Sequence, residues 1–344
     1  MVTISGDEVG TRRQTAGTSP LSRHLYLVTF TSSLLCATLP QLAHAQSYPA
    51  RPIRFVVPFA PGGGNDITAR IVADGLTQAL GKPVIVDNRW GAASIVGTEI
   101  VAKSTPDGYT LLNAGASTVF NVALYQKLPY DTLRDFTPVT LLADQPSILV
   151  AHPSLPAKTL KEFIALARSA PGKFAYSSSG VGGGTHLAME LLLMSQNIEL
   201  VHVPYKGTGP SLTALLGNEI SASLSTYASA LPHVRSGRLR ALGVTSAKRA
   251  STLPEVPTIA EAGVPGYEYS TRYGMLAPAG TPRAIVEKLN RATIGVLNSQ
   301  ETRQKLLAQG IDPMPSTSTA YAAHLKSEIE KWSKVIRAAK IPPQ

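Results

Sequence analysis

Strand-like and helix-like segments alternate along the chain after residue 52, and this pattern restricts the fold more than any other feature of the sequence. Residues 53–59 form an apolar run typical of a buried strand, and apolar residues within 66–80 recur at helical spacing. A strand at 83–87, a helix at 92–103 and a strand at 109–113 follow. This alternation predicts an α/β protein with doubly wound parallel sheets flanked by helices.

The chain is expected to cross between two domains and to return. Two strand-like runs surround Asp144-Gln145-Pro146, and the alternation then resumes as far as a second crossing at 272–277. A chain of 344 residues is long enough for two domains, since domains usually contain about 100–200 residues. We predict a first domain of residues 46–143 plus 272–344 and a second domain of residues 144–271, with the ligand in the cleft between them.

Residues 1–45 have the three parts of a signal peptide. Arg23 and His24 precede an apolar run at 25–39, and Ala43-His44-Ala45 fits an A-x-A cleavage site. The run is shorter than the roughly 20 residues of a comfortable membrane span. We predict cleavage after Ala45 and export to the periplasm. The single cysteine, Cys36, lies in this leader, so the mature chain has no disulfide and no cysteine ligand for a metal.

The net charge of +10 comes from basic residues that are scattered along the sequence. No basic cluster is interleaved with stacking aromatic residues, so we expect no nucleic-acid partner. A basic surface can instead steer anions towards a cleft. The seven histidines lie singly and lack the H-E-x-x-H spacing, so we predict no metal site.

A glycine-rich loop, Pro61–Asp66, joins the first strand to the first helix. Its contiguous glycines, Gly62, Gly63 and Gly64, differ from G-x-G-x-x-G and lack the Lys-Ser/Thr pair of a phosphate loop, so no nucleotide cofactor is predicted. Free N–H groups and the partial positive charge of a helix N-terminus make such a loop a candidate anion site. Asp66 is either a ligand contact or, as we favour, a helix cap.

A second loop of the same kind runs from Ser177 to Gly184 after a strand of the second domain. Its serines can donate hydrogen bonds to a carboxylate, and we select Ser178, Ser179 and Gly180 as ligand contacts. Either loop alone could be a flexible turn. Two such loops at the carboxyl ends of strands are expected to face each other across the cleft.

Further candidates follow other strands. Ser117 and Thr118 come after the third strand, and Lys206 follows a strand of the second domain. Lys206 is either a counter-charge for the ligand or a solvated surface lysine. Trp90 offers a large ring beside the first loop.

The sequence resembles the receptors of tripartite tricarboxylate transporters, the Bug-type binding proteins, over essentially all of 48–344. The resemblance is carried by Val57-Pro58-Phe59-Ala60-Pro61-Gly62-Gly63, Pro106-Asp107-Gly108-Tyr109, Lys127-Leu128-Pro129-Tyr130-Asp131, Val203-Pro204-Tyr205-Lys206-Gly207 and Leu276-Ala277-Pro278-Ala279-Gly280-Thr281-Pro282. It implies a type II periplasmic-binding-protein fold whose two glycine-rich loops grip a carboxylate. It also implies membrane permease subunits as partners, and we expect a monomer.

The chain differs from that family at positions expected to determine ligand specificity. Trp90 stands where the family has proline, and Thr226-Tyr227 occupies a region that often holds an aspartate. Without that aspartate a ligand ammonium has no obvious partner. Trp90 and Tyr227 therefore favour an aromatic or more apolar acid.

Two alternatives remain at this point. The receptor could report to a membrane sensor rather than to a permease. A periplasmic hydrolase could use a serine within 177–179 with His186, although the chain lacks a G-x-S-x-G elbow. We expect a binding protein without catalytic residues.

Overall fold

The computed structural model describes residues 48–338, and the predicted signal peptide lies outside them. The strands are β1 (Ile53–Val57), β2 (Val84–Asn88), β3 (Thr110–Ala114), β4 (Phe136–Ala151), β5 (Ala175–Ser178), β6 (Val201–Pro204), β7 (Ala222–Thr226), β8 (Arg240–Val244), β9 (Ser270–Pro278) and β10 (Asp312–Pro313). The helices are α1 (Gly64–Leu80), α2 (Ile95–Ala102), α3 (Ala116–Leu124), α4 (Leu160–Ser169), α5 (Gly184–Gln196), α6 (Thr208–Leu216), α7 (Tyr227–Arg235), α8 (Arg283–Asn298), α9 (Gln300–Ala308) and α10 (Ser318–Ala338).

The strands follow one hydrogen-bonded order, β2-β1-β3-β9-β4-β7-β5-β6, and β8 and β10 pair with β4 outside this path. Strands β1, β2 and β3 are parallel, and so are β5, β6 and β7. Both groups come from strand–helix alternation, as the sequence predicted. The whole sheet is mixed, because β4 and β9 run antiparallel to the strands beside them.

Strand β4 links the two parallel groups. The sequence predicted two short strands around Asp144-Gln145-Pro146, but β4 is continuous from Phe136 to Ala151. It pairs with β9 from Phe136 to Pro146 and with β7 from Ser147 onward. A change of partner strand, without a break in β4, therefore accounts for the two runs in the sequence.

Helix α1 shows how the local sequence fixes the elements around the candidate site. Its inner face buries Val72 and Leu76 completely, and the apolar cluster on that side includes Phe55 of β1. Burying each of these side chains contributes roughly 1.5–3 kcal/mol. Gly81 ends the helix in the left-handed conformation, φ 66°, and its N–H donates to the Thr77 carbonyl oxygen. The start of α1 is thereby held against the end of β1.

Helix α10 packs against both parts of the sheet. Tyr321 and Leu325 belong to the apolar cluster around β3, β4 and β9. Trp332 belongs to the cluster that contains β5 and β7 residues, and its ring centroid lies 4.6 Å from that of Phe120. No helix within residues 48–338 is both long and apolar enough to span a bilayer.

Candidate functional site

A cavity of about 40 Å³ lies where the carboxyl ends of the two parallel strand groups meet. Loops after β1, β3, β5, β6 and β7 supply most of its wall, and β9 supplies the rest. This is the edge at which α/β sheets bind ligands. The lining residues are Phe59, Gly63, Gly64, Asn65, Gly115, Ala116, Ser117, Ser179, Gly184, Thr185, Thr208, Thr226, Thr271 and Tyr273.

Five helices, α1, α3, α5, α6 and α7, present their N-termini to this cavity. Their first residues or caps line it, and none of their N-caps makes a side-chain capping bond. Uncapped first turns leave backbone N–H donors and a partial positive charge that favours an anion. Their convergence makes the cavity electropositive, although none of its lining residues is Lys, Arg or His.

Two buried polar side chains in the wall have no protein partner. Asn65 is only 5% exposed, and neither its amide nitrogen nor its amide oxygen has a hydrogen-bond partner. Ser117 is only 2% exposed, and its hydroxyl is also unpaired. Leaving a buried polar group unpaired costs about 1–3 kcal/mol. Amide and hydroxyl donors of this kind suit a carboxylate, which only accepts hydrogen bonds.

The paired strands β4 and β9 lie below the loops at the floor of the cavity. Tyr273 donates from its hydroxyl to Gln145 Oε1 at 2.8 Å. Burial raises the pKa of Tyr273 well above its ordinary value, so the phenol stays protonated. A Cβ at Gly64 would lie 2.0 Å from Gln145 Oε1, so a side chain at this position would displace Gln145 from its bond with Tyr273.

The two sets of loops touch each other around the cavity. The Ala60 N–H donates to the Lys206 carbonyl oxygen at 3.1 Å, and the Gly64 N–H donates to Thr226 Oγ1 at 3.1 Å. A Cβ at Gly209 would lie 2.4 Å from the Pro61 carbonyl oxygen. The glycines therefore permit direct backbone contact between loops of the two strand groups.

Four of the residues selected from the sequence line this cavity: Gly63, Gly64, Ser117 and Ser179. They come from three separate loops that the fold brings together. Ser179 accepts a hydrogen bond from Thr185 Oγ1 at 3.0 Å, which fixes its hydroxyl beside the N-terminus of α5.

Gly62 and Asp66 lie beside the wall rather than in it. Asp66 is buried, accepts from the Gly62 N–H at 3.0 Å and pairs with Arg70 at 3.0 Å. It also accepts from Asn88 Nδ2 at 3.0 Å, so its carboxylate is fully engaged by the protein. Asp66 was expected to cap the helix, but Gly63 is the N-cap and has no side-chain capping bond; Asp66 instead ties the Gly62 N–H of the loop to Arg70 and Asn88.

Ser178 lies behind the second loop, in a stack of aromatic rings. Its hydroxyl is bonded to His202 Nε2 at 2.7 Å, and the His202 ring lies 4.1 Å, centroid to centroid, from that of His186. His186 Nδ1 accepts from the Gly182 N–H at 3.1 Å, so this nitrogen carries no proton. Burial lowers the pKa of His186 to about 4 and that of His202 to about 4. The stack therefore holds the loop with neutral imidazoles.

The remaining selected residues lie outside the cavity. Gly180, Trp90 and Lys206 line a second, neighbouring cavity. Thr118 is buried on α3 itself and lines a separate pocket between α3 and α10. Tyr227 is fully buried in an apolar cluster, and its hydroxyl is bonded to Thr252 Oγ1 at 2.7 Å.

Several wall residues were not selected from the sequence. Thr208 is the first residue of α6, Thr226 is the N-cap residue of α7, and Thr271 and Tyr273 lie on the returning strand β9. Helices α3 and α7 themselves were not predicted, because each begins within two residues of the end of a strand. Gly115, just before α3, was the sequence signal that could have identified Ala116 as a wall residue. Strand β9 gave no such local signal, because it reaches the cavity only through the tertiary fold.

Within residues 48–338 no group of three or more His, Cys, Asp or Glu side chains is arranged to hold a metal ion. The wall donors are backbone N–H groups, hydroxyls and one amide. The arrangement can bind a small anion by hydrogen bonding, without a neutralising side chain.

Comparison with known proteins identifies the family. Residues 68–341 match the profile described as the tripartite tricarboxylate transporter family receptor. BugT of Bordetella pertussis is 38% identical over 295 residues, which are 85% of this chain and 90% of that protein.

Solved structures of the same kind share the fold. An R. palustris protein solved with adipate has a TM-score of 0.84 and 36% identity, and the match covers 86% of this chain and 100% of that one. The periplasmic binding protein BugD has a TM-score of 0.84 and 32% identity, with 86% and 100% covered. MatC from Rhodopseudomonas palustris with bound malate has a TM-score of 0.80 and 33% identity, with 84% and 100% covered. The chain belongs to the tripartite tricarboxylate transporter receptor family of periplasmic solute-binding proteins.

Proposed function

We propose that this protein captures a small carboxylate in the cavity at the five helix N-termini and delivers it to a tripartite transporter. The observation that carries the proposal is the convergence of uncapped helix N-termini on the unpaired side chains of Asn65 and Ser117. These groups supply donors for a carboxylate at a site without an ionised side chain. Relatives with the same fold were solved with adipate and with malate, and both are carboxylates.

The ligand carboxylate is proposed to contact Gly63, Gly64, Ser117 and Ser179, which were selected from the sequence, together with Asn65. Gly62 and Asp66 support the first loop, and Ser178 supports the second. Thr118 and Tyr227 support the surrounding packing. Gly180, Trp90 and Lys206 belong to the neighbouring cavity.

Capture is proposed to occur by closure of two lobes, residues 46–143 plus 272–344 and residues 144–271. The change of partner along β4 between Pro146 and Ser147 supports a hinge close to the proposed boundary at 143/144. The contacts from Ala60 to Lys206 and from Gly64 to Thr226 join loops of the two lobes, as a closed receptor requires.

We propose that the chain performs no catalysis. The hydrolase alternative requires a serine that faces the cavity and is activated by a histidine. His202 is hydrogen-bonded to the Ser178 hydroxyl, but Ser178 is fully buried and is not part of the cavity wall. Ser179 does face the cavity, but its hydroxyl is bonded to Thr185 rather than to a histidine.

The cellular setting is proposed from the sequence and the family. A leader cleaved after Ala45 would release a periplasmic monomer that docks on permease subunits in the inner membrane. N-terminal sequencing of protein recovered from the periplasm checks the cleavage site. Uptake of the identified acid should then fall when either the receptor or its permease is deleted; uptake that survives loss of the permease would favour the sensor alternative.

Isothermal titration tests the binding role directly. Protein from the periplasm is unfolded, freed of any co-purified ligand and refolded, and is then titrated with a panel of small acids and with their uncharged amides. At least one acid should bind in a 1:1 ratio while its amide does not, because the helix N-termini favour the anion. Equal binding of an acid and its amide, or no binding by any acid in the panel, would contradict the proposal.

A further inference from the structure

Three aromatic rings stack behind the second glycine-rich loop, which covers residues 177–184. The ring centroids of Tyr176 and His202 are 4.8 Å apart, and those of His202 and His186 are 4.1 Å apart. The interplanar angles are only 18° and 17°, so the three planes are nearly parallel. Tyr176 lies on β5, His202 on the neighbouring strand β6, and His186 on α5, which begins where the loop ends. We call these three residues the ring stack.

Both histidines of the ring stack are bonded to the loop through a ring nitrogen. His186 Nδ1 accepts from the Gly182 N–H at 3.1 Å, and His202 Nε2 is bonded to the Ser178 hydroxyl at 2.7 Å. The Ser178 oxygen also accepts from the Gly180 N–H at 3.2 Å. A protonated imidazole donates from both nitrogens and accepts at neither. Protonation of His186 therefore breaks its bond to the loop.

The loop residues held in this way shape the ligand cavity. Ser179 lies between two of them and lines the cavity, as does Gly184 at the end of the loop. Gly182 has φ 74°, and a Cβ at this position would lie 2.8 Å from Leu124 Cδ1 at the end of α3. The Gly182 backbone thus packs on a helix of the other strand group. Release of Gly182 from His186 would disturb both the cavity wall and this contact across the cleft.

The groups that face the ring stack compensate poorly for a positive charge. Glu190 Oε1, on α5, lies 3.9 Å from His186 Nε2 but accepts from the Tyr176 hydroxyl at 2.5 Å. Burial and the bond to Glu190 raise the pKa of Tyr176, so the phenol stays protonated and keeps this bond. Tyr125, directly after α3, faces Gly182 from the other side, and burial raises its pKa as well. A charged histidine would therefore meet neutral phenols and a carboxylate that is already engaged.

The two histidines also oppose each other's protonation. Burial lowers the pKa of His186 to about 4. Burial, and after it the neighbouring His186, lowers the pKa of His202 to about 4. In the closed receptor the ring stack is therefore neutral down to about pH 5. When the lobes open, α3 leaves Gly182, so the rings gain contact with water and their pKa values rise towards the ordinary 6.5.

We infer that His186 and His202 are positioning residues for ligand binding, which hold the second loop in its binding shape only while both rings are neutral. The receptor consequently binds its acid tightly at neutral pH and more weakly in a mildly acidic periplasm. Because the open state takes up a proton more readily than the liganded state, acid favours release. This inference rests on the proposed function, since Ser179 must face the bound carboxylate.

Affinity measured against pH in matched variants tests this role. Adipate, malate and benzoate are titrated by calorimetry at pH 7.5, and the acid that binds most tightly is followed down to pH 5 in buffers without carboxylates. In His186→Asn the amide oxygen can replace Nδ1 as the acceptor, and in His202→Gln the amide can replace Nε2 beside Ser178, but neither amide titrates. The double variant should still bind at pH 7.5. From pH 7.5 to 5 the wild type should lose about threefold more affinity than this variant.

Two further variants separate the loop bond from histidine content. His186→Leu removes the acceptor at every pH, so it should weaken binding about threefold or more already at pH 7.5. His152→Asn removes a histidine that follows β4, is bonded to Ser154 and lies outside the cavity wall, so it should keep the wild-type pH profile. Protonation of the ligand is the same for every protein and cancels in the comparison. Circular dichroism at each pH checks that the proteins are folded.

The outcomes separate this inference from the proposed function. If the wild type and the double variant lose affinity in parallel, or if the folded double variant no longer binds at pH 7.5, the ring stack does not act as inferred while the carboxylate site stands. If His152→Asn flattens the profile as much as the double variant, the effect is not specific to the stack and the inference is wrong. If none of the three acids binds at pH 7.5, the proposed carboxylate capture is contradicted and the inference fails with it.

Discussion

His186 should make the protein less stable in acid. Its Nδ1 accepts from the Gly182 N–H, and its ring stacks on His202, so the fold requires a neutral imidazole. Around it, Glu190 Oε1 lies 3.9 Å from His186 Nε2 and accepts from the Tyr176 hydroxyl at 2.5 Å. Because Glu190 is shared with Tyr176 and lies beyond hydrogen-bond distance, it compensates little for a charge on His186. Protonation would therefore remove the loop contact and place a cation against the second ring.

The magnitude follows from the two pKa values. Burial lowers the pKa of His186 to about 4, from an ordinary value of 6.5 that also applies to the unfolded chain. Below pH 6.5 the unfolded state takes up this proton first, so unfolding becomes more favourable until the pH reaches about 4. At 1.36 kcal/mol per pH unit, protonation of this group lowers the free energy of unfolding by about 3 kcal/mol between pH 6.5 and pH 4. Above pH 6.5 it has no effect on stability.

Asparagine at this position separates titration from packing. In His186→Asn the amide oxygen can accept from the Gly182 N–H in place of Nδ1, but it does not titrate. The free energy of unfolding is measured by urea denaturation at several pH values from 7.5 to 4. The wild type should lose about 3 kcal/mol more than the variant over this range. The pH slope is compared rather than the stability at one pH, since the smaller side chain also changes packing. Parallel slopes for the two proteins would refute the reasoning.

Two other substitutions separate binding from stability. Asn65→Leu removes an unpaired buried amide, so it should weaken binding of the carboxylate about tenfold or more while leaving the melting temperature unchanged or higher. If the Asn65→Leu variant binds the carboxylate as tightly as the wild type in titration, Asn65 does not contact the ligand. Tyr227→Phe should cost about 1 kcal/mol of stability through the lost bond to Thr252, and should leave ligand affinity unchanged. A large loss of affinity with unchanged stability would instead place Tyr227 in contact with the ligand.

The alternation of strands and helices, and the site at strand ends, could be predicted because they depend on local patterns. The run at 53–57 and the loop Gly62–Gly64 are contiguous in sequence, so their conformation and approximate role follow from periodicity and glycine content. Gly63 and Gly64 accordingly lie in the cavity wall.

Other features depend on partners distant in sequence. Strand β4 continues through Pro146 because its neighbours change there from β9 to β7, and no local pattern encodes this change. Thr271 and Tyr273 reach the cavity only because β9 inserts beside β3 and β4. Helix α7 begins directly after β7 and contains Pro232, so it lacks the usual start and stop signals.

Tyr227 and Trp90 show the limit of reasoning from residue type. Both were selected as large rings that could meet an apolar acid. The fold buries Tyr227 completely, whereas Trp90 is 43% exposed beside Lys206. The backbone around each ring decides this difference: Tyr227 opens a helix packed on an apolar cluster, and Trp90 precedes a strained turn at the cleft.

A crystal structure of the protein with a bound acid tests the central claim most directly. The account predicts one carboxylate group in the cavity at the five helix N-termini, with its oxygens within about 3.2 Å of Asn65 Nδ2, Ser117 Oγ and backbone N–H groups at the starts of α1 and α3. No lysine or arginine should contact that group. A carboxylate bound elsewhere, or one held in the cleft by an ion pair while Asn65 and Ser117 stay unpaired, would contradict the account.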